Sequence, residues 1–261
     1  LPAASVAPTP VSALLHAVAV VKGGVFALMR VVYWCFGAGF LIGTKVQAAV
    51  LCVCCITILY GSLRALCTQH LKRRLAYSTV SQLSYILMGV MLMTPAGLAA
   101  GLTHMVCHAL MKITLFFCAG AILYKGGREY VYELRGVGRA MPVTMTCFTL
   151  AGLGLVGVPL FAGFVSKFML GSAAAEAGGL GMLGVACLII SAFFTLFYMV
   201  LIIGAAWFPA EGREDSHWNT HCDPNWNMKL PLIAITAMSM VLGLWSGPLI
   251  QVFNRIAAGG M

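Results

Sequence analysis

Charge is scarce in this sequence. Charged residues make up 9% of its 261 positions and hydrophobic residues 61%, and the mean hydropathy is +0.96. An ordinary soluble domain has about 25% charged residues and about 45–50% apolar ones. So little charge cannot cover a water-exposed surface, which excludes a soluble globular domain, a disordered segment and a nucleic-acid-binding domain. We therefore expect an integral membrane protein whose partner is the lipid bilayer and not a nucleic acid.

The ten cysteines give no sign of a disulfide framework. Most of them lie inside apolar runs, where cysteine behaves as a small buried hydrophobic residue. We therefore expect no metal, no cofactor and no redox chemistry in this chain, and the sequence leaves open whether it serves an enzyme complex.

Long apolar runs occupy most of the chain. A helix that crosses a bilayer needs about 20 mostly apolar residues. By that rule the fold class is all-α integral membrane, with seven transmembrane helices in a single domain over residues 1–261. The predicted helices cover residues 10–34, 44–66, 76–94, 97–124, 143–174, 180–208 and 230–252.

Basic residues are distributed unevenly between the two ends of these helices, with ten on one side and three on the other. Cytoplasmic loops carry the excess of Lys and Arg in membrane proteins. We therefore expect a multi-pass protein of the cell (inner) membrane whose residue 1 end is cytoplasmic. The basic side holds Arg64, Lys72, Arg73, Arg74, Lys125, Arg128, Arg135, Arg139, Arg213 and Lys229, and the opposite side holds Arg30, Lys45 and Arg255.

Three lysines fall inside predicted spans, namely Lys22, Lys112 and Lys167, and all acidic residues lie in loops or at helix ends. A lysine at the bilayer centre costs about 2.5–3.5 kcal/mol. Such a cost indicates a function, and proton transfer is the chemistry that a buried amine suits. The alternative is that these side chains extend to the lipid headgroups.

A histidine pattern precedes one of these lysines. His104, His108 and Lys112 are spaced i, i+4 and i+8, so they lie on one helical face. Because histidine titrates near neutral pH, this stripe predicts a proton relay. Two alternatives stay open, a metal site formed with Cys107 and a plain polar packing contact. His16 precedes Lys22 by six residues and is a supporting polar group at similar depth.

The predicted helix 143–174 contains Gly157, Pro159 and Gly163 shortly before Lys167. Proline removes a backbone donor, and glycine weakens a helix. We therefore predict a broken helix, which transporters use beside ion sites. A simple proline kink is the alternative.

Four motifs occur in the same order as in one protein family. They are residues 7–17 (APTPVSALLHA), residues 71–82 (LKRRLAYSTVSQ), His104-x-x-x-His108-Ala109-x-x-Lys112, and Gly163-Phe164-x-Ser166-Lys167. The chain resembles the antiporter-like, proton-translocating subunits of respiratory complex I, Mrp-type cation/proton antiporters and group 4 hydrogenases. The resemblance implies a core of fourteen helices in two inverted repeats, of which this chain matches the C-terminal half and lacks the N-terminal repeat.

The resemblance also implies roles for individual residues. Lys22 resembles the lysine that links two half-channels, and Lys167 the terminal lysine of the broken helix beside the exit. His104, His108 and Lys112 resemble the central polar axis, and Ser78, Ser81 and Gln82 match a polar strip that hydrates it. One departure is His70, which stands where the family pattern leads us to expect an acidic residue.

The expected function is therefore that of a proton-translocating subunit in a multisubunit redox-driven or antiporter complex, with other membrane subunits as partners. Na⁺/H⁺ exchange is an open alternative within that function. Two other functions remain open, a solute carrier whose lysines bind an anion and a structural membrane-arm subunit that does not pump protons.

Overall fold

The computed structural model describes Pro2, Thr9–Leu14 and residues 19–208 and 222–259. In that part of the chain the regular structure is helical, apart from one isolated bridge between His70 and Tyr130. The helices are α1 (Thr9–Leu14), α2 (Val20–Arg30), α3 (Ala38–Leu41), α4 (Lys45–Cys67), α5 (Leu71–Met91), α6 (Pro95–Gly126), α7 (Val137–Ala140), α8 (Pro142–Val156), α9 (Ala162–Ala177), α10 (Leu180–Trp207), α11 (Trp226–Leu244) and α12 (Gly247–Gly259). A π-helical stretch, Val31–Phe36, continues α2, and a 3-10 turn, Val131–Leu134, precedes α7.

Four of these helices, α4, α6, α10 and α11, are long and apolar enough to cross a membrane. Their outer faces are apolar. On α10, for example, Phe193, Phe197 and Leu201 are exposed. Large contiguous apolar surfaces of this kind face lipid or another protein. The chain is therefore an all-helical membrane protein.

Two predicted helices are interrupted in the structure. The predicted helix 230–252 is divided into α11 and α12 at Trp245 and Ser246, because Pro248 lacks the backbone donor that a continuous helix requires and is favoured at a helix start. The predicted helix 143–174 is divided into α8 and α9. The first predicted helix, 10–34, corresponds to α1, α2 and part of the π-helical stretch, with residues 15–18 outside the described part of the chain.

Helix α5 begins at Leu71 instead of the predicted residue 76. Its first turn is basic, so hydropathy did not identify it as part of the helix. The backbone N–H of Leu71 donates to Glu129 O at 2.8 Å, and Arg74 Nε donates to Thr68 O at 2.7 Å. These bonds satisfy groups that would otherwise be unpaired at the helix start.

Helix α6 lies at the centre of the molecule and contacts α1, α5, α8, α9, α11 and α12. It begins where the Thr94 side chain accepts a hydrogen bond from the N–H of Gly97, with Pro95 in the first turn, and it ends at Gly126, followed by Gly127, whose φ of 62° is left-handed. Caps of this type stabilise both ends of a helix. Because α6 is surrounded, the polar residues of its middle turns face other helices and not lipid.

Candidate functional site

The centre of the site is the polar face of α6. His104, His108 and Lys112 are all fully buried. The two imidazole rings are stacked, with centroids 5.9 Å apart and 16° between their planes. The spacing of four residues therefore places the three side chains in one row inside the protein.

His104 is held by hydrogen bonds at both ring nitrogens. Nε2 donates to Gln82 Oε1 at 3.1 Å, and Nδ1 lies 2.9 Å from Ser166 Oγ. The Ser166 hydroxyl also lies 3.2 Å from Ala162 O. When His104 is neutral, Ser166 donates to Nδ1. When His104 is protonated, Ser166 accepts from Nδ1 and donates to Ala162 O. The same contacts therefore accommodate both charge states of the ring.

His108 is different, because neither of its ring nitrogens has a hydrogen-bond partner among the described residues. Gln82 Nε2 and the Tyr85 hydroxyl, which lie on α5 nearby, are buried and lack partners there as well. An unpaired buried polar group costs about 1–3 kcal/mol, and water commonly occupies polar interiors where several such groups face it. The chemistry of this region suits a hydrated path.

Lys112 bonds to neutral oxygens of α5. Its ammonium donates to Leu75 O at 2.9 Å and also to Ser78 Oγ. The side chain is fully buried, so it does not extend to the headgroups. No carboxylate contacts it in the described part of the chain.

Lys167 occupies the helix break between α8 and α9. Its Nζ donates to Leu155 O at 2.6 Å and to Val156 O at 3.0 Å. These carbonyls lie at the end of α8, where no next turn exists to bond them and where the helix dipole is negative. The break therefore provides backbone carbonyl acceptors for Lys167, whose side chain is buried with 8% of the residue exposed.

The break consists of residues 157–161, with Pro159 in its turn. Gly157 has a φ of +96°, which favours glycine. Gly163, predicted as part of the break, lies instead in the first turn of α9. A Cβ on it would lie 1.9 Å from Gly154 O, so its role is to let the two half-helices pack closely.

Lys22 lies on α2 and is 7% exposed. It is near enough to His108, His104 and Lys112 to interact with them electrostatically. Lys22 and Lys167 therefore both lie close to the predicted row of α6. His16 lies outside the described residues.

Sequence reasoning missed Tyr85, Ser62 and Ser191. The Tyr85 ring lies 5.7 Å from the His104 ring and 5.7 Å from Lys167 Nζ. Tyr85 follows Ser78 and Ser81 at spacings of seven and four residues, so the helical period of α5 was a signal that could have identified it. Ser62 and Ser191 lie on other helices and carried no such signal.

The alternative metal site is not formed. In the described residues no group of three or more His, Cys, Asp or Glu side chains could hold a metal ion. Both ring nitrogens of His104 are already bonded to Ser166 and Gln82.

Comparison with known sequences gives consistent matches. The family model described as NADH:quinone oxidoreductase/Mrp antiporter, TM, matches residues 1–202. NADH-quinone oxidoreductase subunit L of Mycobacterium tuberculosis is 34% identical over 242 residues, which are 90% of this chain and 36% of that protein. A probable K(+)/H(+) antiporter protein of Rhizobium meliloti, named as an antiporter subunit, is 34% identical over 250 residues, covering 94% of this chain and 24% of that protein.

Solved structures show the same fold. A chain of the Mrp complex from Dietzia sp. matches with a TM-score of 0.86 and 23% identity, over 97% of this chain and 53% of that one. A chain of respiratory complex I from Thermus thermophilus matches with a TM-score of 0.74 and 22% identity, over 90% of this chain and 50% of that one. The present chain thus spans about half the length of these structural relatives.

Proposed function

The chain belongs to the NADH:quinone oxidoreductase/Mrp antiporter transmembrane family, and from that membership we propose that it carries protons across a membrane through its buried lysine and histidine side chains. The observation that carries the proposal is the position of Lys112 and Lys167. Both amines lie inside the bundle and bond to neutral oxygens. Neither amine forms an ion pair in the described part of the chain, so either can pass a proton to a neighbouring base without breaking a salt bridge.

The proposed path runs from Lys22 through the α6 row to Lys167. A charge change in a neighbouring part of the complex alters the proton affinity of Lys22, and a proton then passes along His108 and His104 between Lys112 and Lys167. Lys167 releases it towards the outer side. Support comes from the contacts of His104, which suit both charge states, and from the unpaired nitrogens of His108, which suit water.

We propose that the described helices form seven membrane crossings, with α8 and α9 together making one crossing. The basic residues at the α4–α5 junction and after α6 then lie on the cytoplasmic side of the cell (inner) membrane. We propose that this chain corresponds to the C-terminal half of a fourteen-helix core, and matches over about half the length of its structural relatives support this assignment.

The partners are other membrane subunits of the same complex. Relatives of this chain are named as subunits of NADH-quinone oxidoreductase and of cation/proton antiporters, so the driving force is either a redox reaction elsewhere in the complex or exchange with Na⁺ or another cation.

Substitution of the buried lysines tests the proposal. In the intact complex, Lys112→Met and Lys167→Met should each lower the proton gradient by about tenfold or more, while the complex assembles normally. The matched control is Lys45→Met, because Lys45 is an exposed lysine at the start of α4. It should leave the gradient unchanged.

The other outcomes separate the rival functions. Unchanged pumping in assembled Lys112→Met and Lys167→Met variants would refute the proposal and favour a structural role. Saturable uptake of an anion into proteoliposomes by this chain alone, lost in the same variants, would identify a solute carrier.

A further inference from the structure

A second set of buried polar groups lies beside the α6 row, between α5 and α10. We name it the hydroxyl seam. It consists of Ser62, Ser78, Ser81, Tyr85, Ser191 and Tyr198, all of which are at most 1% exposed. On α5 the spacing of three and four residues places Ser78, Ser81 and Tyr85 on one face.

Three serines from three helices form the middle of the seam. Ser62 Oγ lies 2.8 Å from Ser81 Oγ, Ser81 Oγ lies 3.1 Å from Ser191 Oγ, and Ser62 is also hydrogen-bonded to Ser191. Gly61 makes this approach feasible. A Cβ on Gly61 would lie 2.9 Å from the Ser81 backbone N, so α4 and α5 touch there.

Tyr85 is the inner end of the seam. Its hydroxyl points toward Ser81 and Ser191, yet no partner in the described part of the chain makes a hydrogen bond of normal geometry with it. Its ring lies 5.7 Å from Lys167 Nζ. A fully buried phenol without a partner is costly unless water bonds to it.

Ser78 and Tyr198 form the other end. Ser78 accepts a hydrogen bond from the Lys112 ammonium, and the Tyr198 hydroxyl lies beside Ser78. The seam therefore has one member bonded to Lys112 and another whose ring lies near Lys167. Its members belong to α4, α5 and α10 and do not include His104 or His108.

We propose that the hydroxyl seam is a second proton branch between Lys112 and Lys167, parallel to the histidine row, in which the Tyr85 hydroxyl relays the proton at the end near Lys167. This inference rests on the proposed function. Each hydroxyl can donate and accept at once. A proton leaves the Lys112 ammonium for a seam hydroxyl, each group or bridging water passes on one proton as it gains one, and the Lys167 amine takes up the last.

Tyr85→Phe is the direct test, because it removes one oxygen and keeps the ring. A purely structural Tyr85 would be relieved of an unpaired hydroxyl, so the variant would be as stable as the parent or more stable and would pump at the parent rate. If the seam carries protons, the Tyr85→Phe variant should instead show a severalfold slower proton flux in the assembled complex. The ratio of its rates in H₂O and D₂O should also differ from that of the parent. The control is Tyr33→Phe. The Tyr33 hydroxyl is not part of the seam and donates to Val90 O over a distance of 3.0 Å. Its removal should lower stability and leave the proton flux per assembled complex unchanged.

A double variant tests whether the two branches are parallel. His104→Leu alone should leave residual flux, and His104→Leu with Tyr85→Phe should lose more flux than the two single effects predict, because parallel branches compensate for each other. Parent flux in assembled Tyr85→Phe, or independent effects in the double variant, would overturn the seam. If Lys112→Met and Lys167→Met also pump normally, the proposed function itself fails, whereas a loss confined to the lysine variants rejects the seam alone.

Discussion

At the scale of single residues, the site depends on backbone carbonyls as much as on side chains. Lys167 bonds to two carbonyls at the end of α8, and this requires the turn at Gly157. A side chain on Gly157 would be strained at its φ of +96° and would place a Cβ 3.2 Å from Lys167 Cδ.

Gly157→Ala should therefore lower the free energy of unfolding by about 1–3 kcal/mol, and it should displace the Lys167 side chain and reduce proton flux. Gly171→Ala in α9 is the matched control, since a Cβ there meets no atom within 4 Å and its φ is ordinary. The control should be neutral or stabilising by up to about 1 kcal/mol. Thermal unfolding in detergent compares the two, and equal stabilities would contradict the assignment.

His70 is a second residue whose environment has a measurable consequence. Burial lowers its pKa from 6.5, and Arg73 and Lys72 add to this, while Glu129, 3.4 Å away, opposes it. The unfolded chain therefore takes up a proton at His70 before the folded protein does. Stability from this group is complete above pH 6.5 and is lost as pH falls through the lowered pKa.

When thermal stability is measured from pH 8 to pH 5, the His70→Gln variant should lose less stability than the parent as the pH falls. A parent that loses no more stability than the variant below pH 6.5 would show that His70 is not held neutral by the fold.

At the scale of elements, α8 is capped by a distant residue. Asp223, which lies about 80 residues further along the chain, accepts hydrogen bonds from the backbone N–H groups of Val143 and Thr144 at 3.1 and 3.2 Å, and from the Thr144 hydroxyl at 2.9 Å. A carboxylate at this position satisfies unpaired donors and the positive end of the helix dipole.

Asp223→Ala should therefore destabilise the protein by about 1–2 kcal/mol, and proteolysis should show that the start of α8 opens more readily. The control is Glu176→Gln, an exposed carboxylate at the end of α9. A loss of the same size in both variants would mean that general charge, and not the cap, is responsible.

The sequence predicted those elements best that are long, apolar and clearly bounded. The predictions 44–66, 97–124 and 180–208 lie within two residues of Lys45–Cys67, Pro95–Gly126 and Leu180–Trp207. The basic first turn of α5 and the division at Trp245 were not predicted, because the first depends on a contact with Glu129 and the second on Pro248 in an otherwise apolar run.

The same limit applies to the candidate site. The spacing of His104, His108 and Lys112 on one helix was enough to predict that they share a face. The acceptors of Lys167 could not be predicted, since they are carbonyls exposed by the break and carry no sequence signal. Ser62 and Ser191 join Ser81 only through the packing of three helices, so long-range contacts were needed to find them.

At the scale of the whole molecule, lysine, histidine and hydroxyl side chains are buried among the described helices, many large apolar side chains are exposed, and the proposed orientation places most basic residues on one side of the membrane. Two exposed cysteines lie on opposite sides of the membrane in the proposed orientation. Cys67 is the last residue of α4, and Cys35 lies in the π-helical stretch Val31–Phe36.

A membrane-impermeant thiol reagent should therefore label a variant that retains only Cys67 from the cytoplasmic side, and a variant that retains only Cys35 from the opposite side. Right-side-out and inverted vesicles make the comparison, and Cys107, which is buried, is the unlabelled control. Labelling of both exposed sites from the same side would refute the proposed orientation.

The lysine in the helix break has a genetic consequence. Its oxygen ligands are peptide oxygens, which every codon encodes, so no point mutation can delete them. A single substitution can remove the amine of Lys167, but substitutions can only change the position of the carbonyl oxygens that bind it. A gene that retains Lys167 while losing Gly157 would therefore record decay of the geometry before decay of the chemistry.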